Sequence, residues 1–144
     1  MTLKEYAESQ KKATKYGSKK VTVDGISFDS ITEAARYLEL LDRQKRGEIS
    51  GLLTQVPIAL RDSNLKRIGL YNADLSYTIA STGEHIIEDV KGVRTAVFNL
   101  KAKMVAASGI DIKIILASDI PKNYLAIANE IQRLDILIWR TRDK

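Results

Sequence analysis

Residues 71–92 read YNADLSYTIASTGEHIIEDVKG, two runs of aromatic, β-branched and aliphatic residues separated by Ser81-Thr82-Gly83-Glu84. The pattern predicts strands from Ile68 to Ile79 and from His85 to Val90, joined as an antiparallel hairpin. Alternate side chains of a strand share a face, so Asp89 and Lys91 point the same way, about 7 Å apart. Asp74 interrupts the first strand, and strands are depleted in Asp, so a reason beyond folding is expected there. The hairpin lets two carboxylates and an ammonium converge, a set that can hold a divalent metal and activate water.

Upstream, KKVTVDGISFDS (19–30) alternates apolar and polar residues around Asp24-Gly25, which predicts two short strands and a tight turn. Ser30 then opens ITEAARYLELLDRQKRG, where Ala34, Tyr37, Leu38 and Leu41 form an apolar stripe at helical spacing and Gly47 supplies the stop. Residues 52–60, LLTQVPIAL, read as a strand that Pro57 confines to a sheet edge or a bulge.

Downstream, Ala96 to Ser108 carries Val97, Leu100, Met104 and Ala107 on one side of an expected helix that Gly109 ends. IDIKIILA (110–117) is an apolar strand reached by a crossover, PKNYLAIANEIQRL (121–134) a further helix, and DILIWR (135–140) a last short strand. The order predicts an α/β domain, a mixed central sheet flanked by helices.

The 144 residues suffice for one ordinary domain, expected over 21–144. The net charge of +5 is uneven, because residues 1–20 hold six lysines against Glu5 and Glu8, or +4, which leaves about +1 for the rest. Residues 1–20 therefore read as a flexible basic arm in which Lys11, Lys12, Lys15, Lys19 and Lys20 could neutralise nucleic-acid phosphates; a solubilising tail has the same composition. No run approaches the length needed to cross a bilayer, so a cytoplasmic protein without a membrane partner is expected. The chain has no cysteine and one histidine, His85, which excludes disulfides, thiolate zinc sites and thiol nucleophiles. Any metal would be oxygen-ligated, favouring magnesium, manganese or calcium.

In such a site Asp74 and Asp89 would ligate the metal, and the backbone carbonyl of Val90 could add an oxygen. Lys91 would orient the attacking water or stabilise the pentavalent phosphate. Glu33 admits two readings, a fourth acidic member acting through water, or one half of a Ser30-Ile31-Thr32-Glu33 capping box. Arg94, Lys101 and Lys103 could contact flanking phosphates or decorate a solvated helix. Glu88, on the opposite strand face from Asp89, is expected to be solvated or ion-paired. His85 reads as incidental, and Tyr37 and Trp139 as core or dimer-contact aromatics. An exposed, charge-decorated strand face would account for Asp74, Asp89 and Lys91 without any chemistry.

Taken in order, Glu33 on the first helix, Asp74 in YNADLSY and Asp89-Val90-Lys91 in IIEDVKG resemble the PD-(D/E)xK nuclease superfamily. With the Lys-rich helix and GIDIKIIL, the chain looks most like small phage-encoded nucleases, among them Holliday-junction-resolving endonucleases. Ala73 stands where that family usually has proline, and Glu88 adds an acid beside Asp89. The resemblance spans about residues 30–117. It implies a restriction-endonuclease-like αβββαβ core and Mg2+-dependent endonucleolytic cleavage of DNA, with Mn2+ as a substitute. It also implies a homodimer acting on branched DNA in the cytoplasm of a bacterial host. Two alternatives are a DNA-binding accessory factor that keeps the fold without cleaving and a restriction-like nuclease on linear duplex.

Overall fold

The computed structural model describes residues 20–91 and 109–142, and side chains up to Leu137. Lys11, Lys12, Lys15, Lys19, Arg94, the helix expected over 96–108 with Lys101 and Lys103, and the Trp139 side chain lie outside them. The described elements are β1 (Val21–Val23), β2 (Ile26–Phe28), α1 (Ile31–Lys45), β3 (Ile49–Arg61), β4 (Arg67–Ile79), β5 (His85–Lys91), β6 (Ile112–Leu116), a single 3-10 turn (Ala117–Asp119) and α2 (Lys122–Arg142). The class is mixed α/β, with a two-stranded and a four-stranded sheet. No helix among the described residues is long and apolar enough to cross a membrane.

The chain divides into two compact units, one of residues 1–39 with 120–144 and one of residues 40–119. In the first, β1 and β2 pair antiparallel around Asp24 and Gly25, whose φ angles of 52° and 79° are both left-handed. A two-residue turn of that kind matches the strands' own twist, and an Asp-Gly pair tolerates it best. Phe28 meets Tyr37 of α1 with ring centroids 5.0 Å apart, which makes Tyr37 a core residue. At the start of α1 the Glu33 N–H donates to Ser30 Oγ at 3.1 Å, the N-cap half of a capping box.

The same unit holds α2, which packs against β1 and buries Ala128. This helix corrects the expectation of a last strand at 135–140, because α2 runs unbroken through Asp135 to Arg140. No glycine or proline follows Pro121, so nothing stops the helix, and the Glu130–Arg133 pair bridges one turn of it. Once begun, a helix adds each residue cheaply, which outweighs the strand preference of DILIW.

The second unit opens with the end of α1, which closes as a Schellman motif. Gly47 (φ 79°) donates its N–H to the Gln44 carbonyl and Glu48 donates to that of Arg43, each at 3.0 Å. The sheet order is β3-β4-β5-β6, antiparallel except for the parallel β5–β6 pair. Pro57 therefore lies on an edge strand, as its missing N–H requires. The core of this unit joins Ile58, Leu60, Tyr71 and Ala73 to Val56, Ile87, Ile110, Ile112 and Ile114.

Candidate active site

The β4–β5 ladder runs from Thr78↔His85 to Leu75↔Glu88 and stops there, and the next residues on the two strands are Asp74 and Asp89. Their carboxylates take over from the ladder. The Asp74 N–H donates to Asp89 Oδ1 at 3.1 Å, and the Val90 N–H donates to Asp74 Oδ2 at 2.8 Å. Each acid thus accepts a backbone donor of the opposite strand. On the other flank, β3 pairs Thr54↔Leu75 and Val56↔Ala73, yet the pair between them, Gln55 and Asp74, is missing from the ladder. Gln55 has φ 53°, a left-handed conformation that a non-glycine residue adopts at a cost and that concentrates at functional sites. The sheet is therefore interrupted at Asp74 on both sides.

Asp89 is only 1% exposed, and its Oδ2 has no hydrogen-bond partner among the described residues. Burial pushes its carboxyl above the usual range; the Lys91 charge and the Asp74 N–H oppose this without cancelling it. Asp74 and Lys91 are half-buried. A buried carboxylate oxygen without a donor costs free energy and calls for a cation or water. With the Asp74 carboxylate held on the neighbouring strand, the donorless Asp89 Oδ2 fits a hard, oxygen-seeking cation such as Mg2+ or Mn2+.

Among the described residues no group of three or more acidic or histidine side chains is assembled for a metal. Two carboxylates are still compatible with Mg2+, which commonly keeps several waters and takes only one or two protein carboxylates. The Val90 peptide N–H donates to Asp74 Oδ2. Glu33 belongs to the other compact unit, and its position at the helix start is the one the capping reading requires. Lys20 is exposed just before β1. His85 is exposed, with Nδ1 3.4 Å from Thr78 Oγ1.

Glu88 is a correction. Instead of being solvated it is fully buried, and the Tyr77 hydroxyl donates to its Oε2. The alternation of β5 does put it on the face away from Asp89, but that face is also covered, so a polar partner had to come from β4. Above Tyr77 lies the Arg43 guanidinium, 5.9 Å from the ring centroid. The pair ties β4 to β5 next to the point where their ladder ends. Gln55 was also missed, because nothing in the sequence sets the β3–β4 register that brings it opposite Asp74.

A family model described as "Protein of unknown function (DUF1064)" matches residues 13–123, and the chain belongs to that family. Comparison with curated proteins and with solved structures returns no match.

Proposed function

We propose that this family member is a Mg2+-dependent endodeoxyribonuclease whose core is restriction-endonuclease-like and whose active site is built on Asp74, Asp89 and Lys91. The observation that carries this is the carboxylate pair at the end of the β4–β5 ladder, with Asp89 Oδ2 buried and lacking a donor. Folding alone gives no reason to bury such an oxygen. An accompanying lysine, whose charge acts on Asp89, completes the set that phosphodiester hydrolysis requires.

Asp74 and Asp89 would hold the ion, with the Val90 carbonyl as a further oxygen; a role for Glu33 through water rests on the sequence resemblance. Bound there, Mg2+ or Mn2+ would polarise the phosphoryl oxygen and lower the pKa of a water. Lys91 would orient the attacking water or offset charge on the phosphoryl group. The N-terminal lysines, Arg94, Lys101 and Lys103 would add phosphate contacts. Branched DNA as substrate, a homodimer with one active site per strand and a phage origin rest on the sequence resemblance.

The test is cleavage of a labelled four-way junction, compared with linear and supercoiled duplex, in Mg2+. Asp74→Asn and Lys91→Ala should each lose at least about 100-fold in rate, the scale of removing a transition-state charge partner. Binding in Ca2+ should persist. Undiminished cleavage by both variants would sink the site. DNA binding without cleavage by the unaltered protein in any divalent metal would make it an accessory factor.

A further inference from the structure

β4 pairs with β5 over Leu75–Thr78 and is tied to it again at Asp74, so among the described residues 67–73 of β4 and the facing part of β3 run beyond that contact as a two-stranded ribbon. One face carries Ile58, Leu60 and Tyr71 into the core. Elsewhere Ile68 is 55% and Leu70 53% exposed, and Leu65 at the tip is 74% exposed with φ 63°.

The tip is nevertheless rigidly built. Asp62 Oδ1 accepts the N–H groups of Asn64 (2.9 Å) and Lys66 (3.0 Å), and the Asp62 N–H donates to the Lys66 carbonyl (2.9 Å). The Arg61 guanidinium donates to the Leu65 carbonyl at 3.1 Å. The one acid of the segment is thus engaged by the turn's own backbone, while Arg61, Lys66 and Arg67 are all exposed at the end of the ribbon.

We propose that this ribbon end is a duplex-DNA contact, with Arg61, Lys66 and Arg67 on phosphates and the Leu65 turn directed into a groove. Charge complementarity selects the partner: seven residues, 61–67, carry +2 with their acid already spent. Shape agrees, since a two-stranded ribbon enters the major groove, which is about 12 Å wide. A preformed turn also binds without paying to order itself. Arg67 lies seven residues from Asp74, about 24 Å along the strand. That length corresponds to roughly seven base pairs of B-DNA. The grip would therefore fall about that far from the scissile phosphate, a placement that rests on the nuclease reading, whereas the contact itself does not.

The double variant K66A/R67A tests this, because the Lys66 backbone N–H still reaches Asp62. Its affinity for linear duplex is measured by anisotropy in Ca2+ between 50 and 200 mM salt. Expected are a loss of several-fold or more, a salt slope shallower by about 1 to 2, and an unchanged melting temperature. A hydroxyl-radical footprint should lose its protection about seven base pairs from the cut. Unchanged affinity and slope overturn the ribbon contact and leave the nuclease untouched. Loss of self-association in place of DNA affinity also overturns it, making the ribbon an interface between copies. A normal effect of K66A/R67A in a protein that never cleaves upholds the ribbon and overturns the nuclease.

Discussion

Asp89 sets the terms at the residue scale. A carboxyl held above its ordinary range by burial binds its proton more tightly in the folded than in the unfolded chain. The sign follows: between the ordinary carboxylate value, 3.8, and the raised folded value the native state carries more protons, so stability falls as pH rises through that window. Above it the penalty of the ionised buried oxygen is paid in full. Asp89→Asn removes the charge and keeps the shape. In EDTA at pH 7 it should unfold at higher denaturant than the unaltered protein, by about 1 kcal/mol, the usual scale for relaxing a functional site. Well below pH 3.8 the two curves should converge, since Asp89 is then neutral in both states. A variant less stable at pH 7, or an advantage independent of pH, would show that Asp89's charge is not what the fold pays for.

Elements divide by how local their causes are. Asp24-Gly25 gives its turn in any context, Gly47 stops α1 by its own left-handed backbone, and Pro57 forces β3 to an edge; all three are legible in the chain because each acts within a few residues. The hairpin that carries Asp74 and Asp89 on adjacent strands was legible too, from two strand-like runs and the short polar turn between them. The helix through Asp135 to Arg140 was not, since strand-loving residues there are carried by a helix begun at Lys122. Glu88 was not legible either, because its burial depends on a tyrosine eleven residues earlier on a neighbouring strand. The two readings of Glu33 separate experimentally at the start of α1. Glutamine serves at the third position of a capping box as glutamate does, so Glu33→Gln should leave the melting temperature unchanged. If Glu33 acts on a metal, cleavage in Mg2+ should still fall tenfold or more. Ser30→Ala should do the reverse, losing about 1 kcal/mol of stability and little activity. Glu33→Gln with full activity would make the residue a cap alone.

At the scale of the whole molecule, the proposed site and its proposed substrate pull on the chain differently. The net charge of +5, with +4 of it in residues 1–20, favours a polyanion, while the second compact unit holds two acids of one sign within hydrogen-bond reach of each other's strands. A cation bound by the native state and not by the unfolded chain would relieve that unit and stabilise the protein by mass action. At one hundred times its dissociation constant the gain is about 2.7 kcal/mol. For a chain of this size that corresponds to roughly 5–10 °C in melting temperature. Thermal melts should therefore rise with millimolar Mg2+ or Mn2+ at constant ionic strength, without any DNA present. The rise should vanish in both Asp89→Asn and Asp74→Asn and survive in K66A/R67A. A shift of equal size in the aspartate variants would place the cation elsewhere. No shift at all up to tens of millimolar would leave the buried Asp89 oxygen to water, and with it the case for metal-assisted hydrolysis would fall.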